Sequence, residues 1–121
     1  MRRFVLMLAA IAVIAAAPAL AAEMTVTGEL VDHACYTNRG AENGSGAGHT
    51  ACAKACAQKG QSVALVTESG DVYMLAGAVI ADSNAALVSH MSHTVEVTGD
   101  VSEAGGVKTI TTGAVKHISA S

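Results

Sequence analysis

Residues 94–118 read "TVEVTGDVSEAGGVKTITTGAVKHI", and the folding of this stretch decides the architecture. Its first part alternates, with Val95, Val97 and Val101 on one face, the two-residue period of a strand with one buried side. In its last part Ile110 keeps to even positions but Val115 to odd ones, so the apolar phase slips near Gly113, as it does at a β-bulge. Gly99 and Gly113 interrupt strand patterns rather than end them. Gly28 does the same in an earlier alternating run, where Met24, Val26 and Leu30 share a face. Interior glycine weakens a flat sheet and is common where strands bend sharply to close a barrel. These features predict a mainly β fold with inserted helices, a small OB-like, partly open five-stranded barrel. The competing arrangement is an open antiparallel α+β sheet with two helices on one face.

Between the outer strands, "SVALVT" and "DVYMLA" flank "ESG" and read as a hairpin of buried strands. "DSNAALVSHM" places capping residues ahead of Leu87 and Met91, one turn apart, and reads as a short helix. Residues 51–59 are alanine-rich and free of Gly and Pro, which favours a helix over about 50–59, with Thr50 as N-cap and Gly60 ending it. Residues 32–48 lose all periodicity, and "NRGAENGSGAG" within them has loop composition.

The first 21 residues combine a basic start, "MRR", an apolar stretch, and an exit through Ala19-Leu20-Ala21, the pattern of a secretory signal peptide. Its removal leaves residues 22–121 as one domain in a periplasmic or secreted bacterial protein, with no stable membrane anchor. Five basic residues then face ten acidic ones, a formal charge of −5. An acidic surface with only Tyr36 and Tyr73 as aromatics excludes nucleic acid as a partner.

Chemistry concentrates in "HTACAKACAQKG", residues 49–60. On a helix, positions i, i+3 and i+7 form one stripe, so His49, Cys52 and Cys56 share a face. Cys35 follows the first strand and supplies a fourth donor, with Asp32 and His33 beside it to support a ligand from behind. Three cysteines cannot all pair within one exported chain. A Cys3His set suits zinc, and thiolate-rich sites also suit copper(I). Cys35, His49, Cys52 and Cys56 therefore define the expected metal site, in a structural, storage or transfer role rather than a catalytic one. A disulfide from Cys35 to Cys52 or Cys56, stapling a binding or interaction module without metal, is the equal alternative. A third reading makes Cys52 the nucleophile of a thiol-dependent redox protein, activated by the helix N-terminus and His49, although no residue orients that histidine. The C-x-x-C-H of c-type haem attachment is absent, so no haem is expected. A spare thiol is also compatible with an exported protein partner or a disulfide-linked dimer. His90, Met91 and His93 form a trio able to bind copper, more simply read as a helix end with Met91 in the core, and His117 is expected to face solvent.

At "GELVDHAC", "HTACAKACAQKG" and "ALVTESGDVYML" the chain resembles a group of small exported bacterial proteins of uncharacterised function. Their pattern is a D-x-x-C, a variable loop, H-x-x-C-A-x-x-C-A-x-x-G and a hairpin. Here Cys52 and Cys56 are separated by three residues. "VEVTGDV" and "GGVKTI" resemble a strand pair of bacterial OB-fold domains. The resemblance implies a shared Cys/His site and no particular activity.

Overall fold

The computed structural model describes residues 22–120, so the expected signal segment lies outside the described residues. Strand β1, Ala22–Asp32, is followed by helix α1, His33–Asn43, a 3-10 turn, Ala47–His49, and helix α2, Thr50–Gln58. The hairpin β2, Val63–Val66, and β3, Val72–Ala76, comes next. A run of short turns containing α3, Ala81–Asn84, and the 3-10 turn Val88–His90 leads into β4, Thr94–Ala104. Strands β5, Val107–Thr111, and β6, Lys116–Ser119, complete the order.

Strands β1, β2, β3, β5 and β4 pair in that order, and β4 returns to pair with β1 from Ala22↔Val101 to Glu29↔Thr94. The five strands thus form a closed barrel, where the sequence predicts a partly open one. All pairings are antiparallel except β3 with β5. Its interior holds Val26, Leu30, Leu65, Tyr73, Leu75, Val95, Val97 and Ile110, while Ala53, Ala57, Val79, Leu87 and Met91 extend the same core into the inserted segments.

Closure depends on two of the glycines singled out by pattern. At Gly28, β1 passes from β4 to β2, and a Cβ there would collide with the Val66 carbonyl; at Gly99, one would collide with the carbonyl of Thr111. Both collisions are with backbone, which cannot rotate away. Gly99→Ala is accordingly expected to destabilise the fold by about 1–3 kcal/mol, the usual range for overpacking, read as a lowered urea midpoint with an unchanged slope.

The phase slip near Gly113 is present, in a stronger form than a simple bulge. From Asp100↔Thr111 to Glu96↔Lys116, β4 recedes four residues while its partner advances five, so one extra residue is accommodated where the strand breaks into β5 and β6. The two lie end to end along one edge of β4, and a second register shift follows between Thr94 and Val95.

Two inserted segments differ from expectation. Residues 33–43 are helical, with a kink at Gly40 (φ 78°), although they lack apolar periodicity and include no buried residue; Asp32 caps the first turn by accepting the Cys35 N–H at 2.8 Å. Residues 82–84 take left-handed backbone, φ 54–60°, in place of the expected helix start. Asp, Ser and Asn tolerate that region better than bulky residues do. Asn84 there donates through Nδ2 to the carbonyls of Ala57 and Gln61 at 3.0 and 2.9 Å, which ties this turn to the end of α2. Leu87 and Met91 are nevertheless buried as the pattern requires.

Candidate metal centre

The site begins where β1 ends. Asp32, fully buried and paired with Val63, closes the strand, and its carboxylate fixes the first turn of α1 so that Cys35 lies beside it. The other two cysteines come from α2. That helix buries Ala53 and Ala57, one turn apart, against the core. Cys52 and Cys56 precede each alanine by one residue, about 100° around the helix axis, and so escape the core contact. Gly60, at φ 80°, ends the helix as expected, with the Gln61 N–H donating back to the Cys56 carbonyl at 3.2 Å.

These placements bring the sulfurs of Cys35, Cys52 and Cys56 within 4.8 Å of one another. All three cysteines are free. A disulfide would need two sulfurs at about 2.05 Å, so the alternative of a bridge from Cys35 to Cys52 or Cys56 is not formed. Around a tetrahedral ion with bonds of about 2.3 Å, sulfurs sit roughly 3.8 Å apart. The upper limit of 4.8 Å on the separations here is within about 1 Å of that spacing.

Asp32 Oδ2 is buried and accepts no well-formed hydrogen bond among the described residues. The Cys35 thiol beside this carboxylate is pushed up to about 12, first by hydrogen bonding to Asp32, then by burial and by the charges of Asp32, Cys56 and Cys52. Burial, Asp32 and Cys52 raise the Cys56 thiol as well. Thiols poised for attack are lowered by nearby positive charge, and here the acting charges are negative. A cation placed among the sulfurs would reverse that balance.

His49 does not join this group. The stripe drawn through it requires α-helix from residue 49 onward, but α2 starts at Thr50, and His49 ends a tighter 3-10 turn. That change of phase turns the imidazole away from the thiols. His49 is buried near Glu29, whose carboxylate accepts the Gly46 N–H at 3.1 and 3.3 Å, and the His49 Nε2 has no hydrogen-bond partner among the described residues. Burial raises the Glu29 carboxyl, with the Gly46 and Ser45 hydrogen bonds and His49 opposing. His33 also stands apart, its Nε2 3.5 Å from Thr37 Oγ1 one turn along α1. Thr50 is not the N-cap of α2, a position occupied by His49 without a side-chain bond.

A second cluster lies elsewhere. His90, His93 and His117 each offer a ring nitrogen within 4.8 Å of the others, while Met91, grouped with two of them by sequence, is in the core. Burial, then the charges of His117 and His93, lower His90. His117 is exposed as expected but packs its ring 5.5 Å from His90 and 5.2 Å from His93, centroid to centroid. The sequence reading missed this convergence, and Asn84 as the anchor of α2.

Comparison with family models, curated proteins and solved structures gives no match to this chain.

Proposed function

We propose that the protein is an exported metal-binding protein whose Cys35, Cys52 and Cys56 thiols hold a soft or borderline ion, copper(I) or zinc. The observation that carries this reading is the convergence of three free sulfurs from two chain segments beside a buried, incompletely bonded carboxylate. Thiolates favour copper(I) and zinc over hard cations. With His49 outside the group, the protein supplies three ligands rather than four. A copper(I) ion is then satisfied by three sulfurs, and zinc keeps a fourth position for solvent or a partner's donor. An incomplete coordination shell suits holding and handing on an ion better than a purely structural role, since structural zinc sites are closed. Asp32 acts behind the ligands, orienting Cys35 through its N–H and balancing the ion's charge.

Native mass spectrometry of the reduced chain from residue 22 onward, with zinc or copper(I) added, is expected to show bound metal that disappears on chelation. An intramolecular disulfide with no uptake after such a challenge would overturn the reading. Cobalt(II) in place of zinc adds a check, because sulfur-to-metal charge transfer absorbs only if thiolates bind.

The pH dependence has a definite sign. Cys35, raised to about 12, and Cys56, also raised, are protonated at neutral pH, and the ion must displace those protons. Zinc affinity is expected to rise between about pH 6 and pH 8, by about tenfold per unit for each proton displaced. For the metal-free protein, the Cys35 contribution to stability is complete below its ordinary 9.0 and is lost as pH climbs toward about 12. Bound metal, which takes the thiolate form, removes that alkaline loss. Denaturation midpoints across this range, with and without zinc, test both signs.

A further inference from the structure

We infer that His90, His93 and His117 form a second metal site, selective for a borderline divalent transition ion such as zinc, with an open fourth position. Its ligands come from three segments: the 3-10 turn Val88–His90, the link entering β4, and the strand β6. In sequence, the third lies 24 residues beyond the second, so only the pairing of β6 with the start of β4, at Val95↔His117, brings it in. The three ring nitrogens lie within 4.8 Å of one another, and no carboxylate or thiol joins them among the described residues.

Simple stacking does not account for this arrangement. The His93 ring meets the other two edge-on, at 69° and 71°, and the His90 and His117 rings are tilted by 34°. The rings thus do not lie in a parallel stack, and a nitrogen of each comes within 4.8 Å of the other two. His93 Nδ1 is buried without a hydrogen-bond partner among the described residues, so it loses hydration and gains nothing in return. Imidazole nitrogens bind zinc at about 2.0–2.1 Å, and three of them leave the fourth tetrahedral position open. The small inward movement required falls most easily on His117, since every residue of β6 is exposed.

The ligand chemistry separates this site from the thiol cluster. Neutral imidazoles favour zinc and copper(II), whereas thiolates hold copper(I) as well. Loading the histidine site would also pin β6 to the turn before β4. That mechanical consequence gives a readout independent of the thiols.

The test uses the reduced chain from residue 22 onward, with zinc as the probe. Native mass spectrometry is expected to show a zinc ion that is lost in His117→Ala and retained in Cys52→Ser. Hydrogen exchange is expected to slow at the amides of residues 116–119 when zinc is added to the native protein, and to be unaffected in His117→Ala. His117 is exposed, so this variant keeps the fold; His90→Gln provides a second substitution with the same expected losses. Zinc stoichiometry and exchange unchanged by both histidine substitutions would overturn the inference, as would native protein whose β6 exchange ignores zinc. A single zinc lost only in the histidine variants would support this site while rejecting the thiol site, so the two proposals fail separately.

Discussion

Cys56→Ser is expected to weaken zinc binding at the thiol cluster by about 100-fold or more without unfolding the barrel. Metal binding in thiolate and imidazole sites contributes roughly 10–16 kcal/mol in all, or about 3 kcal/mol per ligand, and each 1.4 kcal/mol is a factor of ten. Serine replaces the sulfur with a smaller, harder oxygen that stays protonated near neutral pH. Structural damage is expected to be slight, because Cys56 is half-buried on a face of α2 adjacent to the one packed on the core, and Ala53 and Ala57 make that packing. Competition with a chromophoric chelator measures the affinity, and circular dichroism checks the fold. Unchanged affinity in both Cys56→Ser and Cys35→Ser would show that zinc binds elsewhere.

Asn84→Ala is expected to destabilise the protein by about 1–3 kcal/mol, a sizeable share of a domain's typical 5–15 kcal/mol. Its Nδ2 serves two carbonyls, those of Ala57 and Gln61, and the side chain is 3% exposed. Truncation takes this donor from both carbonyls; Ala57 keeps the Gly60 N–H at 2.9 Å, and Gln61 loses its tie to the turn. Alanine also tolerates left-handed backbone less well than asparagine, and residue 84 sits at φ 60°. The loss concerns the site as much as the fold, since Asn84 holds the C-terminal end of the helix that carries Cys52 and Cys56. A lowered urea midpoint together with weaker zinc binding is the expected pair of results. Asn84→Asp, which keeps the size but cannot donate to both carbonyls, is expected to fall on the same side.

Much of the barrel was legible because barrel closure writes itself into local pattern. Val95, Val97 and Ile110 marked the inner face, and Gly28 and Gly99 marked the places where strands come too close for any side chain. The displaced phase around Gly113 foretold an extra residue in the pairing with β4. Helix α1 was not legible, since it buries nothing and depends on one carboxylate at its start. The left-handed turn at residues 82–84 was equally hidden: its justification is a pair of hydrogen bonds to the end of a helix and the residue just beyond it, more than twenty positions earlier.

For the site, the two cysteines of α2 could be placed on one face by helical period alone, and Cys35 joined them because Asp32 ends β1 where it does. His49 illustrates the limit of that reasoning. Its assignment extended α-helical geometry by one residue past the true start, and a 3-10 turn carries the ring elsewhere. The histidine cluster is the opposite case, in which individually ordinary residues acquire meaning only through strand pairing.

One property of β6 reaches beyond metal binding. A cylinder of strands has no free margin, yet β6 is attached outside it, bonded to β4 and to no other strand among the described residues. Its outward N–H and C=O groups are therefore a ready template for a strand from another molecule. At four residues the template is short, and Lys116 places a charge on it, both of which discourage polymerisation.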